Sequence, residues 1–382
     1  HRQNPNARIV VMGCYATRAP EEVAVLPGVA DVVTDKRELP DLMSRFGVID
    51  VPTGLVGFSG RQRAYVKVQD GCLLRCSYCI IPQVRPQLTS RPLQDIVDEV
   101  GRLTAAGHRE VVLTGIHLGH YGVDWNRNKP RQQWVRLAHL LRRLCELPGQ
   151  FRIRLSSMEA TEVTRELIAV MADHADKIVP HLHLCLQSGS DTVLRRMRRR
   201  WGTRMFLDRC RLLRDALSQP AITTDIIVGF PGESEAEFEQ TLRTCNEAGF
   251  SKIHAFPFSP RRGTPAAEMP DQIPKSVRSQ RVAMLGDLEA RLRDDYYRSL
   301  VGNQLELLVE SSSPLIPMGS NSPAADPQRV LRGTTCRYSP AELVETIDSV
   351  PSESQTPSGK SALIDVHVDA SDGEKLLVSR AP

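Results

Sequence analysis

The segment Val68–Pro82, VQDGCLLRCSYCIIP, decides how this chain folds and what it can bind. Its Cys72, Cys76 and Cys79 form a C-x-x-x-C-x-x-C pattern. Three thiolates this close can ligate three irons of a [4Fe–4S] cube, because soft sulfur ligands suit iron–sulfur chemistry. The next cysteine is Cys145, so one iron would stay open for another ligand. A zinc knuckle or three unrelated thiols are the alternatives, but zinc sites usually add a second Cys or His pair, and none stands out.

Composition places the chain among globular proteins of two or three domains. It has 382 residues, 41% hydrophobic and 25% charged, with a net charge of +4. No apolar run approaches the ~20 residues of a membrane span. The nine cysteines are too few and too unevenly spread for a secreted disulfide framework. We therefore expect a cytoplasmic protein without a membrane segment. Because the sequence begins at His1 rather than Met, we also expect an N-terminally truncated piece of a longer protein.

Short β-rich runs alternate with amphipathic helical stretches between Arg61 and Pro257. The predicted strands are Ala64–Val68, Glu110–Thr114, Arg152–Ser156, His181–Leu186, Ala221–Val228 and Lys252–Phe256, and the predicted helices are Leu93–Ala106, Val135–Glu146, Glu162–Ala172, Thr203–Ala216 and Glu235–Ala248. Six β/α units of this kind predict a parallel, barrel-like sheet. Active sites of such barrels lie at the carboxyl ends of the strands, and the three cysteines directly follow the first strand.

Different patterns flank this region. Upstream, Arg8–Met12 is a predicted strand, a helix starts at Pro20, and Asp31–Thr34 is a second strand, which together indicate part of a small α/β domain. Downstream, a long helix is predicted over Ser276–Leu300. We expect three domains, at residues 1–57, 58–300 and 301–382.

The last of these domains has the pattern of a small β-barrel. Its strand-like runs include Gln304–Glu310 and Leu363–Val368. They alternate with Ser/Pro-rich segments at Ser311–Pro327 and Val350–Ser361, which we expect to be flexible loops.

Five arginines and an aromatic residue lie within Arg195–Trp201, RRMRRRW. Such a patch attracts phosphate backbones, and Trp201 could stack on a base. The alternative is a solvated helix end, which charge runs usually are. We expect Arg198, Arg199 and Arg200 to contact nucleic acid.

A series of motifs resembles those of the methylthiotransferases, radical S-adenosylmethionine (SAM) enzymes that insert sulfur and a methyl group at an unactivated C–H position. The motifs are GCYA at Gly13–Ala16, QDGC…C..C at Gln69–Cys79, SRP at Ser90–Pro92, TGIHLGHYG at Thr114–Gly122, RLSSME at Arg154–Glu159, LQSGSD at Leu186–Asp191, TDIIVGFPGE at Thr224–Glu233 and FPFSPRRGTPA at Phe256–Ala266. They cover most of residues 8–270. QDGC and GIHLG look most like the branch that acts on N6-threonylcarbamoyladenosine in tRNA.

The resemblance implies an α/β fold with a partial (β/α)6 radical SAM barrel. The remnant of a small α/β domain would precede this barrel, and a small TRAM-like β-barrel that binds RNA would follow it. Cys72, Cys76 and Cys79 would ligate a [4Fe–4S] cluster whose open iron binds the amino and carboxylate groups of SAM. The hard chemistry then belongs to the cofactor, and the protein positions it and excludes competing reactions.

The resemblance also assigns residues to SAM. Gly115 would offer free backbone to the methionine moiety, and the turn from Gly229 to Glu233 would lie against the adenine. Ser157 and Gln187 are further candidate cofactor-binding residues. The alternative is that glycines after strands are ordinary turn residues.

A second [4Fe–4S] cluster, which supplies the inserted sulfur, is implied by the same resemblance. Cys14 of GCYA matches the third of its three cysteine ligands, and the other two would lie upstream of His1. Without them, Cys14 behaves as a small hydrophobic residue, and we expect this chain to lack full activity. A low-potential electron donor and the tRNA anticodon loop are the implied partners. The remaining cysteines, Cys145, Cys185, Cys210, Cys245 and Cys336, are predicted to be structural.

Two positions depart from the family pattern. Pro86 follows Arg85 where a glycine is usual, so that loop is expected to differ in shape. Cys185 replaces a proline before the LQSG motif. Alternation places His183, Cys185 and Gln187 on one face of a strand, so a free thiol would lie near the cofactor if that face lines the barrel. We expect no catalytic role for it.

These observations favour an enzyme that inserts a methylthio group at C2 of N6-threonylcarbamoyladenosine at position 37 of tRNA. The first alternative is methylthiolation of another target, either isopentenyladenosine in tRNA or a ribosomal protein. The second is a non-catalytic RNA-binding protein, since the chain lacks two ligands of the sulfur-supplying cluster.

Overall fold

The computed structural model describes residues 4, 7–49, 54–55, 61–315, 328–346 and 362–382. Its strands are β1 Ile9–Met12, β2 Val29–Val33, β3 Arg63–Asp70, β4 Thr89–Ser90, β5 Glu110–Gly115, β6 Arg152–Leu155, β7 His181–His183, β8 Ala221–Val228, β9 Lys252–Pro257, β10 Gln304–Leu315, β11 Gln328–Thr335, β12 Pro340–Thr346, β13 Ala362–Ser371 and β14 Leu376–Arg380. Its α-helices are α1 Cys14–Arg18, α2 Pro20–Ala24, α3 Leu39–Ser44, α4 Ile81–Val84, α5 Leu93–Ala105, α6 Leu137–Cys145, α7 Arg165–Asp173, α8 Asp191–Arg196, α9 Thr203–Ala216, α10 Glu235–Ala248 and α11 Lys275–Leu300.

Six parallel strands form the predicted partial barrel. β3, β5 and β6 pair in parallel in one sheet, and β7, β8 and β9 pair in parallel in another. Single bridges between Ile153 and Ile178 and between Met158 and Leu184 connect the two sheets. β4 pairs antiparallel with β3 at the other edge of the first sheet, and the sequence did not indicate it.

The predicted strand His181–Leu186 is wrong in length, because β7 ends at His183. Beyond that residue the backbone divides its hydrogen bonds between two neighbours. Leu184 N–H donates to Thr223 on β8, whereas Cys185 N–H donates to Met158 on the other side. Gln187 then adopts φ 67°, which leaves the extended region. The segment therefore crosses from strand geometry into a turn while it joins the two sheets.

The helices pack on the outside of these strands through one apolar face each. α5, for example, buries Ile96, Val100 and Leu103 against the sheet. Local signals explain why α10 agrees with its predicted bounds: Ser234 and Glu237 form a reciprocal capping box at its start, and Gly249 ends it with φ 58°. Within the described ranges, no helix is both long and apolar enough to cross a membrane.

The flanking domains also agree with the sequence in type. β1 and β2 pair in parallel next to the short helices α1 and α2, as expected of an α/β segment. The C-terminal strands close into a barrel in the order β10-β11-β12-β14-β13. Ser311–Leu315 was expected to be loop, but it extends β10 because its backbone pairs with β11. The rest of that Ser/Pro-rich segment and Val350–Ser361 lie outside the described residues.

A buried ionic cluster joins the C-terminal barrel to the amino ends of the central strands. The fully buried Glu110 accepts hydrogen bonds from Arg63 at 2.7 Å, Arg152 at 2.6 Å and Arg154 at 2.9 Å. Arg152 and Arg154 also donate across the junction, to the backbone carbonyls of Glu306, Thr334 and Thr335. Burial alone would raise the pKa of Glu110, but the charges of the arginines outweigh it and hold that pKa well below its usual range.

We predict that Glu110→Gln destabilises the protein by about 3 kcal/mol at neutral pH, because it leaves buried arginines without their anion. A lowered folded-state pKa means that the carboxylate stabilises the fold above its unfolded pKa of about 4.3, and that this stabilisation is lost as pH falls through the folded value. Thermal unfolding at several pH values should show a gap between wild type and variant that narrows below about pH 4. Glu239→Gln, which breaks an exposed ion pair with Arg243, is the control. A constant gap across this range would contradict the assignment.

Candidate functional site

The buried side chain of Gln69 shapes the loop that carries the cysteines. Its amide nitrogen donates to the carbonyls of Asp70 and Gly71, and its amide oxygen accepts from His117 N–H at 2.8 Å. Gly71 lies at φ +79°, where a Cβ would be 1.8 Å from the carbonyl oxygen of Gln87. A Cβ on Gly115 would lie 2.9 Å from the Gln69 oxygen. The QDGC motif therefore fixes the loop by close backbone packing, and Gly115 leaves room for the Gln69 side chain.

The three cysteines line one cavity of about 200 Å³ at the carboxyl ends of the strands. Ser157 and Gln187, two of the predicted cofactor-binding residues, line the same cavity. Burial raises the pKa of the Cys79 thiol, and the neighbouring charges of Cys76 and Cys72 raise it further, as expected when three thiols lie close together.

Hydrogen-bond donors point at the sulfur atoms. The backbone N–H of Leu74 donates to Cys72 Sγ at 3.4 Å, and Arg199 Nη1 donates to Cys76 Sγ at 3.4 Å. The backbone of Ile81 hydrogen-bonds Cys79. Soft sulfur donors with N–H···S contacts are the environment in which proteins hold iron–sulfur clusters, so the residues present fit a three-cysteine cluster.

A histidine lies beside the first cysteine. His117 Nδ1 is 3.6 Å from Cys72 Sγ, its Nε2 pairs with Glu162, and its ring stacks on His120 with centroids 3.6 Å apart. Burial would lower the pKa of His117, but hydrogen bonds to Cys72 and Glu162 raise it to about 9. Sequence reasoning missed this contact, although TGIHLGHYG, which contains the residue, was among the recognised motifs.

The arginine run differs from its predicted role. The Arg199 side chain is only 3% exposed and pairs with Glu159, and Trp201 is 7% exposed and donates to the same carboxylate at 2.9 Å. The prediction that these two side chains contact nucleic acid is therefore wrong. The reason is local: Arg198 adopts φ 59°, which turns the chain and directs the next side chain inward. Arg198 and Arg200 are exposed.

Cys185 lies near the candidate cofactor site, as predicted, although β7 ends at His183. It lines the cavity of the three cysteines together with Gln187, so this face of the chain lines the barrel. Burial raises the pKa of the Cys185 thiol well above its usual range, which keeps it protonated. His183 precedes Cys185 by two residues, and its Nε2 lies 3.3 Å from Asp225 Oδ2.

Gly229 and Glu233 are not among the described residues that line this cavity. Glu233 is buried and accepts hydrogen bonds from Gly229 N–H at 2.6 Å and from Arg281 at 2.7 Å. Its carboxylate thus holds the turn after β8, and contact of that turn with adenine stays a prediction.

Cys14 is exposed at the start of α1. Arg85 connects it to the cysteine loop, because Arg85 Nη2 is 3.8 Å from Cys14 Sγ while the Arg85 carbonyl accepts from Cys72 N–H at 3.3 Å. The other predicted structural cysteines include Cys210 and Cys245, which are buried.

We predict that the anaerobically reconstituted chain binds about four irons, because Cys72, Cys76 and Cys79 line one cavity at cluster spacing, whereas Cys14 is not among the described residues that line it. Iron and sulfide analysis should show that replacing Cys72, Cys76 and Cys79 together by Ala removes this iron. Cys14→Ala should retain it, and Cys210→Ala is the matched control at a buried thiol. Eight irons in the wild-type chain, or a cube in the triple variant, would contradict the prediction.

Comparison with known proteins agrees with this site. The family model of the Radical SAM superfamily matches residues 66–245. Threonylcarbamoyladenosine tRNA methylthiotransferase MtaB of Bacillus subtilis is 40% identical over 329 residues, covering 81% of this chain and 71% of that protein. Its namesake in Thermotoga maritima is 35% identical over 323 residues, covering 81% of this chain and 72% of that protein.

A differently named relative is similar over the same length of this chain. The tRNA-2-methylthio-N(6)-dimethylallyladenosine synthase of Corynebacterium urealyticum is 37% identical over 327 residues, covering 81% of this chain and 60% of that protein. Motifs, fold, cysteine geometry and the identity to these relatives agree with one another. The chain belongs to the methylthiotransferase family of radical SAM enzymes.

Proposed function

We propose that the protein inserts a methylthio group at C2 of N6-threonylcarbamoyladenosine at position 37 of tRNA. The observation that carries this proposal is the cavity at the strand ends, where Cys72, Cys76 and Cys79 meet Ser157 and Gln187. Three cysteines leave one iron of a cube without a protein ligand, as SAM binding requires. The relatives named for this reaction support the choice of substrate.

When bound, the cluster and SAM would supply reductive cleavage of SAM and abstraction of hydrogen from an unactivated C–H bond. The chain's own residues would hold the cluster and orient SAM beside it. Cys72, Cys76 and Cys79 would ligate three irons, and the Gln69 network fixes the loop that carries them. Ser157 and Gln187 present polar groups to the same space. Preorganised positions of this kind are the protein's contribution to cofactor chemistry.

The proposal includes the partners implied by the family resemblance. Cys14 would be one ligand of the sulfur-supplying cluster, and a low-potential electron donor would reduce the radical SAM cluster. The exposed Arg198 and Arg200 are suited to contact tRNA phosphates. A cytoplasmic location follows from tRNA as substrate. A solely RNA-binding role is disfavoured, since it would need neither the cysteine cavity nor its N–H···S contacts.

We predict that the reconstituted chain forms 5′-deoxyadenosine from SAM under dithionite. Cys76→Ala should abolish the product, because two remaining thiolates cannot hold the cube with one iron free. Cys14→Ala should leave the rate unchanged, since Cys14 is not part of the cysteine cavity. Product analysis by chromatography decides: a chain with its full iron content that never cleaves SAM argues against the proposed chemistry.

The nucleoside target has its own test. Deleting the gene in its host should remove 2-methylthio-N6-threonylcarbamoyladenosine from total tRNA, as measured by nucleoside mass spectrometry. The isopentenyladenosine derivative should persist, because the QDGC and GIHLG motifs resemble those of the threonylcarbamoyladenosine branch. Loss of the isopentenyladenosine derivative alone would assign the protein to the alternative substrate, and no change in either nucleoside would direct attention to a ribosomal protein.

A further inference from the structure

Arg199 makes more contacts with the cysteine site than any proposed role in tRNA binding would need. Its Nη1 donates to Cys76 Sγ at 3.4 Å and lies 3.5 Å from the Tyr78 hydroxyl. Its Nη2 pairs with Glu159 and donates to the Cys185 carbonyl at 3.1 Å. The guanidinium also lies 5.0 Å from the centre of the Trp201 ring. One buried cation thus contacts the cysteine loop and the ends of two strand segments.

The backbone around Arg199 supports the same loop. Ser77, next to Cys76, donates through its N–H to the Met197 carbonyl at 3.1 Å and through its hydroxyl to the Arg196 carbonyl at 2.8 Å. The left-handed residue Arg198 follows at once and sets the direction of the next side chain. The carbonyls at the end of α8 therefore accept hydrogen bonds from Ser77 of the cysteine loop. Arg199, in the turn that follows, donates to the sulfur of Cys76.

The charges around Arg199 suit a thiolate at Cys76. A buried cation requires anionic or hydrogen-bonding partners, and Glu159 supplies one. Trp201 Nε1 competes for the same carboxylate oxygen, at 2.9 Å. Arg199 pairs with Glu159 through Nη2, so its Nη1 is available to Cys76 Sγ.

We propose that Arg199 is a positioning residue that holds Cys76 in place and raises the reduction potential of the cluster bound there. The inference rests on the proposed cluster at Cys72, Cys76 and Cys79. Reduction adds negative charge to the cluster and its sulfur ligands, so a charge-assisted N–H···S bond stabilises the reduced form more than the oxidised form. Arg199 must contact Cys76 and Glu159 in two directions from one planar guanidinium group. A lysine ammonium cannot reproduce this geometry.

The experiment compares Arg199→Gln, Arg199→Lys and Glu159→Gln in the reconstituted full chain, with Arg195→Gln as the control. Arg195 belongs to the same arginine run but is exposed. Iron and sulfide content, resistance of iron to a chelator, and the midpoint potential from a redox titration followed by electron paramagnetic resonance are measured for each.

Arg199→Gln should give a more negative midpoint potential and faster loss of iron, and Arg199→Lys should recover only part of either property. Glu159→Gln should shift the potential in the opposite direction, because it removes the anion that partly neutralises Arg199. A purely structural role would not produce opposite shifts. Arg195→Gln should match the wild type.

An unchanged midpoint in Arg199→Gln with full iron content would overturn the proposal, and so would shifts of the same sign in Arg199→Gln and Glu159→Gln. If Arg199→Gln does not fold, the sign of the Glu159→Gln shift decides. Failure of the proposed cluster itself gives a different result, namely a wild-type chain without stoichiometric iron and sulfide.

Discussion

Burial of the Glu110 carboxylate among three arginines is the constraint on which the arrangement of the two barrels depends. A carboxylate and guanidinium groups can be removed from water together only when each charge has a partner at hydrogen-bond distance. The Glu110 carboxylate accepts hydrogen bonds from Arg63, Arg152 and Arg154. Arg152 and Arg154 also donate to backbone carbonyls of the C-terminal barrel. The register of β3, β5 and β6 is fixed at the same place, because these side chains stand on neighbouring strands.

The carboxyl ends of the same strands are organised by hydrogen bonds, ion pairs and close backbone contacts. Gln69 connects the end of β3 to the residues after β5, and Glu159 and Glu162 after β6 pair with Arg199 and His117, which contact two of the cysteines. Cysteine positions are thus set by segments far apart in sequence. This explains why a short motif requires a whole barrel around it.

Much of the fold could be predicted from the sequence because its signals are local. The bounds of α9 and α10 and of β8 follow from periodicity and caps. The cysteine spacing predicts three residues that line one cavity. The direction of Arg199 could not be predicted, because a charge run looks the same whether its members face water or a buried carboxylate. The early end of β7 depends on hydrogen bonds to two different neighbouring strands, which no local pattern records.

Separation of the two ends of the central sheet keeps the ionic junction and the cysteine loop apart. The ionic junction with the C-terminal barrel lies at the amino end of β3, and the cysteine loop follows its carboxyl end eight residues later. An extended strand of that length measures roughly 25 Å. The buried charges of the junction therefore lie far beyond hydrogen-bond reach of the cysteines, and β3 connects the two sites directly.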